Sequence, residues 1–260
     1  MITFSIVTVV RNDLNGIILT NDSINNQSYR NFEWVVIDGN STDGTNEYML
    51  NLKVDNLTYI SESDKGIYDA MNKGISYCKN KYVIFLNAGD TFFNSETLLQ
   101  VSVKLDFNNV DVLFGGANIY FNKETYYYKK PEKLEKVINY SLPGHHQATY
   151  YSKDILNKIQ YDISFPYSGD YLIIAKMFKH GIKYSLLNIP LTKFEVGHHS
   201  FKGIYKIFIA STKIQKTILK LNTFQIFKSK FRRIISTLLV ITFYKFPIIL
   251  KISQFKKNLL

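Results

Sequence analysis

Short polar segments that follow apolar runs carry the side chains best suited to chemistry in this sequence. Four of them occur in the first hundred residues, at 8–12, 37–44, 61–66 and 87–90. The last one ends in Asp90, directly after a glycine that lets the backbone turn sharply. Oxygen ligands such as those of Asp90 and Asn87 suit Mg²⁺ or Mn²⁺. The pattern predicts a divalent metal site at Asp90.

The apolar runs before these segments have the length and composition of buried strands. They cover residues 4–10, 32–37, 57–60 and 82–86. Near-continuous hydrophobic runs are typical of strands covered on both faces. Helical patterns separate them, and in the one at 67–78 Tyr68 is predicted to lie opposite the apolar face. Such alternation predicts a parallel, doubly wound sheet, so the four polar segments are expected at one rim, outside the carboxyl ends of the strands.

Two common phosphate-binding patterns are missing from this rim. The sequence contains neither GxGxxG nor GxxxxGK[ST], which excludes the dinucleotide fingerprint and the P-loop. The rim is acidic instead, and acidic side chains repel a phosphate unless a divalent cation lies between them. The expected ligand is therefore a diphosphate bridged by Mg²⁺ or Mn²⁺.

The positive charge of the chain is confined to one end. The net charge is +11, but residues 201–260 contain thirteen Lys or Arg and no Asp or Glu, which leaves about −2 for residues 1–200. We therefore predict a globular body at 1–200 and a basic tail at 201–260. A single cysteine, Cys78, excludes a disulfide framework. The first apolar run is expected to be a core strand and not a secretion signal.

Four motifs, in their order and spacing, resemble the nucleotide-sugar half of family 2 glycosyltransferases with the GT-A fold. The motifs are IVTVVRND, EWVVIDGNSTDGT, SESDKGIYDAMNKGI and YVIFLNAGDTFF. The SDKGIYDAMNKG stretch is most similar to bacterial enzymes that build capsule, O-antigen or exopolysaccharide repeat units. The resemblance covers about residues 1–200. It implies an α/β fold with a Rossmann-like, doubly wound, mainly parallel mixed sheet, divided into a nucleotide-sugar half at 1–115 and an acceptor half at 116–200.

The resemblance also implies roles for residues of the first half. It assigns the nucleotide pocket to Thr8, Val9, Arg11, Asp38, Asp64 and Lys65. Asp38 would accept a hydrogen bond from the base, which favours uridine, and Lys65 would lie near phosphate. Asp38 has a competing interpretation as a turn residue, because Gly39 follows it.

Asp90 matches the last acid of the family's DxD motif and would bind the metal on the diphosphate. The family usually has Asp-x-Asp-Asp here, whereas this chain has Asn87, Ala88, Gly89 and Asp90, so one carboxylate remains. One carboxylate with Asn87 and phosphate oxygens can still hold Mg²⁺, which keeps several waters. Weak metal affinity and metal independence are both compatible with the sequence, and Asp90 has a competing interpretation as a helix cap.

The second half supplies a candidate base. Asp170 stands at the start of an apolar-periodic helix, and the resemblance implies that it is the general base of an inverting transfer. The competing interpretation is a helix N-cap, a common use of Asp after Ser-Gly. His145 and His146 are expected beside the diphosphate or the acceptor, or else are ordinary surface and core imidazoles.

The tail is predicted to associate with membranes. Ile207, Ile214, Ile218 and Leu221 share one helical face, and lysines recur every seven residues on another. The apolar stretch at 234–250 is interrupted by Lys245 and Pro247, which favours a position in the interface over a span. The alternative is a pair of helices packed on the body, with the lysines in solvent.

Together these features predict an enzyme peripheral on the inner, cytoplasmic face of a bacterial plasma membrane. The resemblance implies an inverting glycosyltransferase of hexosyltransferase type that uses a nucleotide sugar, preferably a UDP-sugar, and a lipid-linked oligosaccharide acceptor. One rival is a catalytically impaired, membrane-bound scaffold of the same fold. A nucleic-acid-binding protein is disfavoured, because stacking platforms need lysines interleaved with aromatics on one scaffold. A sugar nucleotidyltransferase would need a glycine-rich, basic loop after the first strand, which 10–12 do not supply.

Overall fold

The predicted apolar runs form the centre of one mixed sheet. The computed structural model describes residues 1–196 and 203–246. Within these ranges the strands are β1 (Phe4–Val10), β2 (Phe32–Asp38), β3 (Leu57–Ser61), β4 (Tyr82–Phe85), β5 (Thr91–Phe92), β6 (Val112–Tyr120), β7 (Tyr126–Lys129), β8 (Thr149–Ser152) and β9 (Tyr184–Glu195). All residues of β1 and β4 are buried, as expected for strands with helices on both faces.

The sheet is parallel in its first half and mainly antiparallel in its second. Its order is β3-β2-β1-β4-β8-β6-β9-β5, with β7 also paired to β6. The pairs among β1 to β4 are parallel, and so is β6 with β9, whereas β4–β8, β6–β8, β6–β7 and β5–β9 are antiparallel. The two longest ladders, β1–β2 and β6–β9, are parallel, as expected for a mainly parallel mixed sheet. The predicted division between residues 115 and 116 falls inside β6, so both halves share this sheet.

Helices cover both faces of the sheet. They are α1 (Leu14–Asn25), α2 (Thr45–Asn51), α3 (Ile67–Tyr77), α4 (Thr97–Phe107), α5 (Leu134–Val137), α6 (Lys153–Lys158), α7 (Gly169–His180), α8 (Ile204–Thr217) and α9 (Thr223–Lys245), with a 3₁₀ turn at His146–Ala148. One hydrophobic cluster contains residues of α3, α6, α7 and α8, and the other contains residues of α1 and α4. The sheet separates the two clusters, so α3 and α7 share a face.

The first tail helix packs on the body and does not present its apolar face to a membrane, which corrects one prediction. Ile214 is fully buried, and Ile218 and Leu221 pack against the same cluster as α7. Ile207 remains partly exposed. The alternative interpretation, helices packed on the body, therefore holds for α8. Among the described helices, none is long and apolar enough to cross a membrane.

Candidate active site

The carboxyl ends of the first three strands lie side by side, as predicted. Val10 is the partner of Asp38 in the β1–β2 register, and Asp38 is the partner of Ser61 in the β2–β3 register. The segment after β4 joins them, because the backbone N–H of Ala88 donates to the carbonyl of Val9 (3.2 Å). The four polar segments therefore meet at one rim, as they do in open α/β sheets that bind ligands.

Two residues predicted to contact the nucleotide have interior roles. Asp38 has no exposed surface, and its carboxylate accepts hydrogen bonds from Ser41, Tyr59 and Ser61. Thr8 also has no exposed surface; its hydroxyl donates to the carbonyl of Leu86 and accepts from the Trp34 indole. In this arrangement neither side chain is exposed at the surface of the rim; the base contact predicted for Asp38 and the pocket position predicted for Thr8 stay predictions. Both side chains stabilise the rim.

Other predicted nucleotide contacts do lie at the surface of the rim. Arg11 and Lys65 are exposed, and Asp64 is half-buried. Arg11 and Asp64 meet beside Gly39, where a β-carbon would lie 2.5 Å from an Asp64 carboxylate oxygen and 3.2 Å from Cδ of Arg11. Val9 is buried and contributes its backbone carbonyl to the rim. The structure thus places one guanidinium and one ammonium where an anionic ligand would be bound.

Asp90 is a buried carboxylate at the end of the fourth segment. Gly89 has φ +87°, a conformation that L side chains rarely adopt, so the predicted sharp turn is present. Asp90 accepts a short hydrogen bond from Nε2 of Gln147. Burial raises the pKa of Asp90 to about 6, although His146 and the Gln147 hydrogen bond act in the opposite direction. It does not cap α4, whose N-cap is Glu96.

The oxygen atoms around Asp90 fit a hard divalent cation. Oδ1 of Asn87 and Oε1 of Gln147 are buried without a hydrogen-bond partner. Asn87 is in the same turn as Asp90, and Gln147 contacts it. Buried polar atoms are normally satisfied, so unpaired oxygens beside a carboxylate indicate a missing positive partner. Within residues 1–196 and 203–246, however, no three acidic, His or Cys side chains cluster as a metal site.

Asp170 lies in the first turn of α7, and its two oxygens have different environments. Oδ2 is 3.4 Å from the Tyr68 hydroxyl, which in turn accepts a hydrogen bond from the backbone N–H of Gly169 (3.0 Å). Oδ1 is buried without a hydrogen-bond partner, 4.0 Å from Nδ1 of His146. The helix N-cap is Ser168, so the N-cap interpretation of Asp170 does not hold. One oxygen is held and the other is free to accept a proton.

Tyr68 is the functional residue that the sequence analysis placed wrongly. It was expected on the polar face of α3, but its ring is buried, stacked on Tyr161 with centroids 5.1 Å apart. The ring also touches Gly169, where a β-carbon would lie 2.5 Å from ring carbons. Burial, reinforced by Asp170, raises the pKa of Tyr68, so its hydroxyl stays protonated and able to donate. A residue of the first half therefore positions the candidate base of the second.

Replacement of Tyr68 by Phe is expected to lower kcat about tenfold with little change in the KM for the donor. The variant keeps the ring and its packing but loses the hydroxyl that donates to Asp170 and accepts from Gly169. Without that donor nothing fixes the orientation of Oδ2 of Asp170. Steady-state kinetics with varied donor measure kcat and KM, and thermal unfolding checks that the fold is retained. A variant with wild-type kcat would mean that the Tyr68 hydroxyl does not position Asp170.

The two histidines occupy different environments. His146 begins the 3₁₀ turn, lies within 4.0 Å of Asp170 and is close enough to Asp90 to influence its pKa. The ring of His145 packs on Phe194 with centroids 4.7 Å apart. Burial, with smaller contributions from His146 and Lys129, lowers the pKa of His145 well below its ordinary value. His146 thus lies close to both candidate acidic residues, Asp170 and Asp90, and the ring of His145 packs against it. Gln147, which the sequence analysis missed, follows them directly.

A cavity of about 820 Å³ lies beside this constellation. It is bounded by α1, by the segment from Gly89 to Ser95 and by the end of β9. Phe194 lines the cavity, and its ring also packs on the ring of His145. Lys193 lies over the ring of Phe93, 5.6 Å from its centroid. The lining combines aromatic, basic and acidic side chains and includes Gly89 and Thr91 on either side of Asp90.

Sequence comparison places this constellation in a family context. Residues 5–181 match the family model described as Glycosyl transferase family 2. An uncharacterized glycosyltransferase of Mycobacterium tuberculosis is 30% identical over 178 residues, which cover 67% of this chain and 68% of the relative. A PGL/p-HBAD biosynthesis glycosyltransferase of Mycobacterium bovis is 28% identical over 159 residues, 59% of each chain.

Solved structures with the same arrangement of strands and helices are more distant in sequence. Staphylococcus aureus TarS, residues 1–349, superposes with a TM-score of 0.66 at 21% identity, covering 88% of this chain and 72% of that one. Its complex with UDP-GlcNAc superposes with a TM-score of 0.66 at 20% identity, covering 83% of this chain and 67% of that one. The mannosyltransferase PcManGT of Pyrobaculum calidifontis, in complex with GDP-Man and Mn²⁺, gives 0.59 at 16% identity, covering 82% and 61%.

Proposed function

Because this chain belongs to glycosyltransferase family 2, we propose that it is an inverting hexosyltransferase that transfers a sugar from a nucleotide-sugar donor to a lipid-linked glycan. The GT-A fold expected from the sequence is confirmed by the solved neighbours. The observation that supports the chemistry is Asp170, whose Oδ2 is held by Tyr68 while Oδ1 is unpaired.

In this proposal Asp170 is the general base. Oδ1 takes the proton of the acceptor hydroxyl while the hydroxyl oxygen attacks the anomeric carbon, and the bond from that carbon to the nucleotide diphosphate breaks on the opposite face. Asp90 and Asn87 would hold Mg²⁺ or Mn²⁺, which would offset the charge of the leaving diphosphate. His146, close to both Asp170 and Asp90, would face the reacting groups. Arg11 and Lys65 would bind the donor's phosphates from the rim.

A UDP-sugar is the donor that we favour. TarS, whose fold this chain shares, has been solved with UDP-GlcNAc, whereas PcManGT has been solved with GDP-Man. The higher TM-score belongs to the UDP-GlcNAc complex. Since Asp38 is engaged by hydrogen bonds inside the rim, selection of the base would rest on groups at the rim surface, such as the exposed Arg11 and the half-buried Asp64.

A lipid-linked acceptor and a position on the inner face of the plasma membrane are further parts of the proposal. One relative is named for PGL/p-HBAD biosynthesis, and the last sixty residues of this chain carry thirteen basic and no acidic residues. Polybasic segments are attracted to anionic membrane surfaces. Such a surface would bring the enzyme to an acceptor that cannot leave the bilayer.

Calorimetric titration of UDP, GDP and CDP, each with and without Mn²⁺, tests the donor part of this proposal. We expect UDP to bind most tightly and Mn²⁺ to strengthen its binding about tenfold or more. Equal binding of all three nucleotides would contradict the preference for uridine. Absence of binding for every nucleotide would favour the alternative of an impaired scaffold, since one carboxylate of the usual metal motif is replaced by Gly89.

A further inference from the structure

The last described helix exposes a continuous apolar surface. Seven large apolar side chains of α9 are between 42% and 74% exposed, and they recur at intervals of three, four and seven residues. We call them the α9 stripe: Phe224, Phe227, Phe231, Ile234, Ile235, Leu238 and Leu239. Single exposed hydrophobic residues are ordinary on a protein surface, but a contiguous row along one helix marks an interaction site.

The opposite face of α9 is fixed to the body, so the orientation of the stripe is defined. Ile226 and Ser229 are buried, and the hydroxyl of Ser229 accepts a hydrogen bond from the buried Gln215 of α8 (2.7 Å). Near the other end, Phe243 packs edge-on against Phe121, with ring centroids 6.1 Å apart. A capping box of Asn222 and Gln225 fixes the first turn. The helix is therefore anchored along its length with the stripe turned outward.

Basic residues flank the α9 stripe. Lys228 and Arg232 lie along one edge and Lys230 along the other, by the helical spacing of 3.6 residues per turn. Residues 203–246 contain no acidic side chain. An apolar stripe between rows of cations is the arrangement of helices that lie in the headgroup region of anionic bilayers.

We infer that the α9 stripe docks this protein flat on an anionic lipid bilayer, an inference that deepens the proposed function. A second copy of the chain is a poorer partner, because pairing two stripes would bring cations together with no acidic residues on α8 or α9 to match them. Contacts between α8 and α9 also link this surface to the candidate base.

The candidate base lies one helix away from this surface. Ser211 of α8 contacts Ser168 through their hydroxyls (3.1 Å), and Ser168 precedes Gly169 and Asp170. On its other side α8 contacts α9, where Arg233 donates to the carbonyl of Phe208 (3.3 Å). Docking through the α9 stripe would therefore hold the turn that carries Asp170 at a fixed distance from the lipid surface, as a lipid-linked acceptor requires.

The test is co-sedimentation of the full chain with vesicles of phosphatidylcholine alone and with vesicles that also contain about 30% of the anionic lipid phosphatidylglycerol. The triple variant Phe227→Ser, Phe231→Ser, Leu238→Ser is expected to lose about tenfold or more of its partition into anionic vesicles. The matched control is Phe107→Ser, an exposed aromatic of α4 on the body, which should bind as the wild type does. Thermal unfolding of all variants checks that the fold is retained.

The charged flanks are tested separately. Lys228→Gln with Lys230→Gln should weaken binding roughly fivefold per cation, whereas Lys53→Gln with Lys158→Gln on the body should have little effect. Unchanged vesicle binding of the triple variant would overturn the inference. So would a wild-type dimer that becomes monomeric in the triple variant, because the stripe would then bind a second copy of the chain. UDP titration separates this result from the proposed function. If the triple variant loses vesicle binding and neither the wild type nor any variant binds UDP, the docking surface is supported and the proposed donor is refuted.

Discussion

Replacement of Asp170 by Asn is expected to reduce kcat by at least about a thousandfold while the affinity for UDP stays within about twofold of wild type. Asn has nearly the same shape and can keep the contact with Tyr68, but it cannot take a proton from an acceptor hydroxyl. Rates of sugar transfer, measured alongside calorimetric titration of UDP, give both quantities.

Two comparisons make the Asp170 result specific. Asp162→Asn is a suitable control, because that carboxylate is a partly exposed partner of Lys176 and Ser164 outside the rim. It should retain near wild-type transfer. Equal transfer by wild type and Asp170→Asn would refute the assignment of the base. Loss of UDP binding in Asp170→Asn would instead show that this side chain contributes to the donor pocket.

Replacement of Asp90 by Asn is expected to remove the effect of Mn²⁺ on UDP binding. Asp90 is the one carboxylate left in the metal motif, and the neighbouring amide oxygens of Asn87 and Gln147 carry no full negative charge. We expect the affinity for UDP in the presence of Mn²⁺ to fall about a hundredfold. Titration of UDP with Mn²⁺ and with EDTA measures the difference. A variant that keeps full metal enhancement would place the cation elsewhere.

The same substitution should stabilise the metal-free protein at neutral pH. The pKa of Asp90 is raised from an ordinary 3.8 to about 6, so the folded state binds its proton more tightly than the unfolded state does. The cost of ionising it in the folded state therefore grows as pH rises from 4 to 6 and is constant above that. Asn removes this cost, which is about 2 to 3 kcal/mol above pH 7. Chemical unfolding in EDTA should show a higher free energy of unfolding for Asp90→Asn than for wild type at pH 7.5, and no such difference at pH 4.

The order and type of the first elements could be predicted because their signals are local. Continuous apolar runs and helical periodicity gave β1 to β4 and α3 nearly to the residue, and Asp170 at the start of α7 followed from the same kind of pattern. The antiparallel strands β7 and β8 are four residues each. Their pairing with β6 and β4 depends on distant partners, and a local pattern contains no information about those partners.

The wrong predictions have the same physical origin. Tyr68 lies outside the apolar stripe of α3, yet it is buried because α7 packs over it, a neighbour one hundred residues later in the chain. Asp38 was expected to accept a hydrogen bond from the base, and its carboxylate already accepts hydrogen bonds from Ser41 and Ser61, which a local pattern does not indicate. In α8 the periodicity correctly indicated an apolar face, and only the position of α7 decides that this face meets protein and not lipid.

The place of β5 in the sheet has a consequence for synthesis on the ribosome. Phe92 of β5 pairs with Thr192 of β9, so the strand that follows Asp90 leaves the ribosome one hundred residues before its partner. Pairings between residues so far apart in sequence form slowly, because loop closure must precede contact. The parallel strands β1 to β4 can assemble earlier, and the turn that carries Asp90 is held by Thr20 of α1, but β5 gains its partner only after β9 has been made. A nascent chain stalled before residue 184 should therefore contain a folded nucleotide rim and an unpaired β5.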